Sequence, residues 1–378
     1  METYKLSDLC EILDSKRKPL SALQRAKKQG IYPYYGAQGI IDHLDDYLLD
    51  GEYLLVAEDG ANLETRNQPI ANIAKGKIWV NNHAHVLGSN GKCPLNLLGF
   101  ILNNMNISPY VTGCAQPKLN QENLRNIEIE LPSHIDSIAS ILSSLDRKIE
   151  LNNKINADLE EMAQALFKNW FVDFEPFKDG KFVDSELGMI PEGWKVVVFD
   201  NILKVTTTKT GKEGIPEYSV TNTGIHPRDE KFTKNLSKSS AKNKLIRKGN
   251  LVFGMSREIL NWGIMKEEVG GVSSAYNVYI VDEKIVNTTY LECFIAQRMD
   301  YFADLIKPAS REGQGVDKAL LMKKIICIPP SEVMDVFLEK YNSIIHLTEI
   351  RNQENSRLSL LRDTLLPRLM SGELEVPE

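Results

Sequence analysis

Two groups of side chains in this sequence carry the donors that nucleic acid accepts. Arg66, Asn67, Lys75 and Lys77 lie in and after a loop that begins at Glu58-Asp59-Gly60-Ala61-Asn62. Arg257, Asn261, Trp262 and Lys266 lie in and after a second, polar and aromatic loop, Ser256 to Trp262. Lysine and arginine meet phosphate oxygens and set affinity, while Arg, Asn, Gln and a neighbouring aromatic ring reach base edges and set sequence. A basic run of Lys231, Lys234, Lys238, Lys242, Lys244, Arg247 and Lys248 suits a phosphate backbone. So does a proline-interrupted segment with Lys16, Arg17 and Lys18, followed by Arg25, Lys27 and Lys28. For each of these the plain alternative is a solvated surface charge, and for Trp262 a place in the core.

The common catalytic signatures are missing. Thr210-Gly211-Lys212-Glu213 lacks the first glycine and the final hydroxyl of a phosphate-binding G-x-x-x-x-G-K-[ST] loop. The chain has no G-x-G-x-x-G or G-x-S-x-G, and Ile328 ahead of Pro329-Pro330 fails the Asn-Pro-Pro-aromatic pattern of amino-methyltransferases. Asp229-Glu230-Lys231 and Asp282-Glu283-Lys284 have the form of nuclease Asp-x-Lys tripeptides but no evident partner carboxylate. His83-Ala84-His85 puts two imidazoles on one face of a strand, a possible metal pair that lacks further nearby ligands apart from Cys93; a packed strand face is the simpler reading. The expectation is a binding protein with no metal and no catalytic residue of its own.

Side chains on loops need a frame, and two long helices supply it. From Leu131 to Phe174 the apolar residues Ile138, Leu142, Leu145, Ile149, Leu159, Ala163, Leu166 and Trp170 recur at alternating steps of three and four. That is a heptad seam, which requires a partner helix. Ser133 after Pro132, with Asp136 three residues on, predicts a capping box at its start. A second segment from Pro330-Ser331 to Leu366 has apolar positions Phe337, Tyr341, Ile344, Leu347, Leu358, Leu361 and Leu365, and Pro367 is expected to end or kink it. Asn152 and Asn156 interrupt the first seam, and Arg351, Asn352 and Asn355 the second; asparagines in such seams fix helix register.

Between the helices the sequence repeats its plan. Gly51 to Val56 has a counterpart in Lys248 to Phe253, Tyr32 to Tyr35 in Ile215 to Tyr218, and Lys118 to Pro132 in Gly315 to Pro329. The expected division is a globule over 1–132, a long helix over 133–174, a linker over 175–195, a second globule over 196–330, and a long helix with its tail over 331–378. The fold class is α+β: two repeated mixed globules joined by two long, paired helices. The loops diverge most, so each globule is expected to bind something different.

The formal net charge is −6, yet residues 196–330 hold 20 Lys and Arg against 15 Asp and Glu. Base therefore concentrates in the second globule. Residues 1–132 hold 13 against 15, so any grip on nucleic acid there must come from a local patch such as Lys16 to Lys28, or from a partner. Five scattered cysteines without a Cys-x-x-Cys suit a reducing compartment. No apolar run approaches a membrane span and Met1 to Gly30 is too charged for a signal peptide, so the expected location is the cytoplasm, away from membranes.

Three stretches carry a family likeness. Ala165-Leu166-Phe167-Lys168-Asn169-Trp170-Phe171-Val172-Asp173-Phe174-Glu175-Pro176 resembles the central conserved region of type I restriction-modification specificity subunits, and Leu361 to Leu374 (LRDTLLPRLMSGEL) resembles the distal one. Gln116-Pro117-Lys118-Leu119-Asn120 ahead of Ile127 to Pro132 is similar to the close of a target recognition domain. The resemblance implies two such domains, each reading one half of a split sequence in double-stranded DNA, held apart by antiparallel helices pairing as a coiled coil. It also implies two methyltransferase (modification) subunits on those helices and a separate restriction motor-nuclease subunit, with S-adenosylmethionine, ATP and magnesium on those partners and none in this chain. The competing readings are a DNA-acting enzyme with an unrecognised active site, and a helical adaptor that does not read sequence.

Overall fold

The computed structural model describes residues 2–113, 116–132, 134–228, 239–256, 259–306 and 316–374. The expectations resting on Ser133, on Lys231, Lys234 and Lys238, on Arg257, on Cys114, on Gly315 and on Asp229-Glu230 lie outside these residues. The chain forms two compact units, Met1–Ile155 with Ile350–Glu378, and Asn156–Glu349. Each unit thus takes one globule and a part of both long helices.

Unit 1 begins with β1 (Glu2–Lys5), α1 (Leu6–Leu9), β2 (Cys10–Ile12), α2 (Ala22–Ala26), β3 (Gln29–Gly36), β4 (Gly39–Leu44) and β5 (Leu49–Ala57). It continues with α3 (Asn62–Thr65), β6 (Ala71–Val80), β7 (Ala84–Ser89), α4 (Leu95–Asn104), α5 (Gln121–Arg125) and β8 (Glu128–Leu131), and then enters α6 (Ile135–Phe171). A six-stranded sheet has the order β2-β7-β5-β6-β3-β4. Successive side chains of β5 point to opposite faces: Leu54 and Val56 join Leu97, Leu98 and Leu102 of α4 in one core, while Leu55 joins Ile78, Val80 and Val86 in another. β1 pairs antiparallel with β8, Glu2 opposite Leu131, so the first and last strands of the globule close on each other just before α6.

Unit 2 repeats this skeleton. After a short hairpin of β9 (Phe182–Val183) and β10 (Ile190–Pro191) come β11 (Lys195–Val198), α7 (Phe199–Ile202), β12 (Leu203–Thr206), β13 (Tyr218–Thr221), β14 (Gly224–Pro227) and β15 (Lys244–Arg247). Then follow β16 (Leu251–Ser256), β17 (Ile259–Ile264), β18 (Val269–Val272), β19 (Asn277–Val281), α8 (Thr288–Gln297), α9 (Met299–Phe302), α10 (Lys318–Lys323), β20 (Ile325–Ile328) and α11 (Ser331–Met370). β11 closes on β20, Lys195 opposite Ile328, as β1 closes on β8. The sheet β12-β19-β16-β17 matches β2-β7-β5-β6 strand for strand. α5 and α10, which precede the closing strands, open on the capping side chains of Asn120 and Asp317.

The helices pair antiparallel within unit 1. Asp146 of α6 meets Arg362 of α11 at 2.7 Å, and seven residues further along α6 Asn153 accepts a hydrogen bond from Asn355 at 2.8 Å. Ile138, Ala139 and Leu142 of α6 share a buried core with Leu366 and Leu369 of α11. In unit 2, Phe167 and Phe171 pack on Phe337.

Two local expectations are corrected. α11 does not stop at Pro367 but continues a turn to Met370: the proline costs one backbone hydrogen bond, to the Asp363 carbonyl, while Leu366 and Leu369, 3% and 5% exposed, anchor that turn in the core. Asn261 and Trp262 are not on a loop. They sit in β17, paired with β16, where Leu260, Trp262 and Ile264 alternate into the main core of unit 2. Two of the apolar helix positions, Leu347 and Leu361, face outward at 43% and 46% exposure.

Candidate nucleic-acid interface

In unit 1 the side chains of interest divide into those held by the fold and those left free. Arg17 is held: its guanidinium pairs with Glu58 at 2.6 Å and with Asp14 at 3.3 Å, and donates to the carbonyl of Ala84. Arg66 is held as well. It ends α3 in the left-handed conformation, φ 52°, and its Nη2 donates to the carbonyls of Leu102, Asn103 and Met105, which close α4. Lys75 pairs with Glu52 at 3.2 Å, and the Lys77 ammonium lies 4.7 Å from the Tyr47 ring centre and 5.8 Å from that of Tyr32. Lys16, Lys18 and Asn67 are exposed. Arg66, Asn67 and Lys75 line one groove of about 1010 Å³, together with Asn103, Arg147 and Arg362; Lys16 to Lys18 and Lys77 are not among its lining.

In unit 2, Lys242 and Arg247 are exposed, Lys242 two residues ahead of β15 and Arg247 at its end. Lys266 is paired with Glu292. Trp262, 8% exposed, packs in the main core of unit 2, and Asn261, 6% exposed, is buried beside it in β17. The local signal for Trp262 is its alternation with Leu260 and Ile264, which is the strand period.

The two imidazoles of His83-Ala84-His85 part company. His83 precedes β7 and pairs with Asp59 at 2.8 Å, while His85 is fully buried with Nδ1 2.6 Å from an Asp14 oxygen and Nε2 2.7 Å from the Leu119 carbonyl. Asp14, Glu58 and His85 bring ligand atoms within 4.8 Å of one another. Arg17 and Lys118 already neutralise those carboxylates and both ring nitrogens are engaged, so the cluster is a compensated network that ties β7 to the segment ahead of α5.

One of the seam asparagines, Asn152, joins the two helices. Only 1% exposed in the helix seam, it donates to Glu354 at 2.8 Å and to Asn355 at 2.9 Å on α11. Replacing it by leucine, which any neighbouring heptad step accepts, is expected to leave stability within about 1 kcal/mol while allowing α6 and α11 to slide. Cross-linking of cysteines placed at positions 146 and 362 tests this; an unchanged cross-linking yield in Asn152→Leu would sink the idea.

This architecture has relatives. Residues 1–161 match the family described as the type I restriction modification DNA specificity domain. The type I restriction enzyme MjaIX specificity subunit of Methanocaldococcus jannaschii is 31% identical over 289 residues, covering 70% of this chain and 65% of that one. A protein of Haemophilus influenzae named as the type I restriction enzyme specificity subunit S.HindORF215P is 27% identical over 380 residues, 97% of this chain and 95% of its own length. The chain belongs to the type I restriction-modification specificity-subunit family. The crystal structure of the type I restriction-modification system S subunit from M. genitalium shares its fold, with a TM-score of 0.55, 11% identity, and coverage of 98% of this chain and 96% of that one. For a member of the specificity family, the duplicated skeleton puts equivalent frames in the two units, and the differences between them lie in what is inserted into each frame.

Proposed function

We propose that this chain is the DNA-recognition subunit of a type I restriction-modification complex, each unit reading one half of a two-part target in duplex DNA. The observation that carries the reading is the duplicated frame with unlike inserts, in a chain of the specificity family. One frame used twice gives two similar ways of meeting a duplex, and unlike inserts give two different sequences. The paired helices fix the gap between the halves, with Asn152 setting their register.

The enzymatic work falls to partners: two methyltransferase subunits on the helices, and a motor-nuclease subunit beside them. S-adenosylmethionine, ATP and magnesium belong to those subunits, and the assembly works in the cytoplasm. Outward-facing apolar side chains support docking on the helices, with Leu151, Ile350, Leu360 and Leu361 in unit 1 and Met162, Val336, Ile345 and Leu347 in unit 2, each at least 36% exposed. In unit 2, Met162, Leu166, Val336 and Ile344 line a groove of about 710 Å³. No helix among the described residues is long and apolar enough to cross a membrane.

The test is a genome-wide map of methylated adenine in cells with and without this chain. A two-part motif with a fixed gap that loses methylation when the chain is removed is the expected result. Identical maps, in cells whose methyltransferase partner is active, would overturn the proposal.

A further inference from the structure

Comparing the two frames marks one long segment in the same place in each unit. Between the second and third shared strands, unit 1 inserts residues 13–48, with α2 and the β3–β4 hairpin, and unit 2 inserts residues 207–250. Charge gathers there. Residues 13–48 hold 6 Lys and Arg against 4 Asp and Glu, while residues 2–12 and 49–132 hold 7 against 11. In unit 2 the described residues of the insert hold 7 against 2, and the other described residues of 196–330 hold 7 against 9. So each unit is basic in the same topological place and acidic elsewhere, although the inserts differ in fold.

A second observation concerns unit 1 alone. Its globule exposes four large apolar side chains among the described residues 2–132, Leu23, Ile31, Ile40 and Ile41, at 52% to 79%, and all four lie in the insert. Lys16, Lys18 and Lys27 are exposed there with no ion-pair partner among the described residues. β3 and β4 form a two-stranded antiparallel ribbon at the end of the six-stranded sheet, and the pairing of Gly36 with Gly39 leaves a two-residue turn, Ala37-Gln38, with Gln38 exposed at its tip. Gly39 takes φ +117°, which a residue with a side chain adopts only with strain.

A two-stranded ribbon fits the major groove of duplex DNA, a glutamine amide there makes paired hydrogen bonds to adenine, and apolar side chains meet thymine methyl groups. We infer that unit 1 reads its half-site through residues 13–48, the β3–β4 turn bringing Gln38 and Ile40 to base edges while Lys16, Lys18 and Lys27 hold phosphates. This locates recognition on the insert and away from the Arg66 groove, whose arginine is committed to closing α4. It rests on the proposed reading of duplex DNA.

The experiment uses the full chain with its methyltransferase partners, in cells and as the purified complex. Methylation maps are compared for the natural chain, Gln38→Ala, Lys16→Gln/Lys18→Gln/Lys27→Gln, and Lys92→Gln, an exposed lysine outside the insert. Gln38→Ala is expected to relax one position in one half-site by about tenfold, leaving the other half untouched. The triple variant is expected to weaken all sequences alike and to reduce the slope of log affinity against log salt by about 0.9 per lost phosphate contact, and Lys92→Gln to change neither. If the natural chain directs a two-part motif and the insert variants behave as Lys92→Gln does, the inference is overturned and the function stands. If the natural chain directs no such motif, both fall.

Discussion

Asp14→Ala is expected to destabilise unit 1 by about 3–5 kcal/mol, since it strips the partner from a buried network. Asp14 is 8% exposed and accepts from His85 at 2.6 Å, from the Val86 amide at 2.9 Å and from Gln121 at 3.1 Å. Without it Glu58 is the one carboxylate left beside His85 and Arg17, and the Val86 amide is buried without its acceptor. Burial by itself raises the Asp14 carboxyl, but the hydrogen bond and charge of His85, with the Val86 amide and Arg17, outweigh it and hold the group below its ordinary value of 3.8. Glu58 is likewise held below 4.5, burial being outweighed by Arg17 and Lys118. Carboxyls lowered in the folded state contribute stability that is complete above their unfolded values and lost as pH falls through the folded ones. The natural chain should therefore lose unit 1 stability on acidification below about pH 4, and Asp14→Ala should lose less. Hydrogen exchange of β5 and β7 amides, with unit 2 amides as the control, measures both; a change under about 1 kcal/mol at neutral pH would refute the network's weight.

Phe337→Ala is expected to cost unit 2 about 3–5 kcal/mol. The ring is fully buried, 4.7 Å from the centre of Phe171, 5.5 Å from Tyr341 and 6.0 Å from Phe167. Its removal leaves a cavity where α6 and α11 meet within that unit, and the bulky neighbours fill such a space poorly. Phe337→Leu should recover more than half of the loss, because volume and apolarity are largely kept. Denaturant midpoints of the two variants decide it; equal losses would show that ring geometry, not volume, sets the packing there.

Much of the frame was legible in the residues themselves. The seam from Ile138 to Trp170 announces a long helix because apolar periodicity is a local property, and α6 runs from Ile135 to Phe171. The repeated Gly51 to Val56 and Lys248 to Phe253 stretches fall on β5 and β16, which hold the same place in the two sheets. Asn152 could be singled out because an amide in an apolar seam needs a partner, and Glu354 and Asn355 provide it.

Side-chain duty was another matter. Arg17, Arg66 and Trp262 have the composition of ligand contacts, yet their partners come from Glu58, from the end of α4 and from the core of unit 2, positions distant in sequence. Lys16 and Lys18, their neighbours in type, stay exposed, with no ion pair among the described residues. A sequence displays which donors and charges a chain owns. Burial and pairing, set by contacts across tens to hundreds of residues, decide which of them remain free for a ligand, and only the tertiary structure distinguishes the exposed Gln38 turn from the engaged arginines.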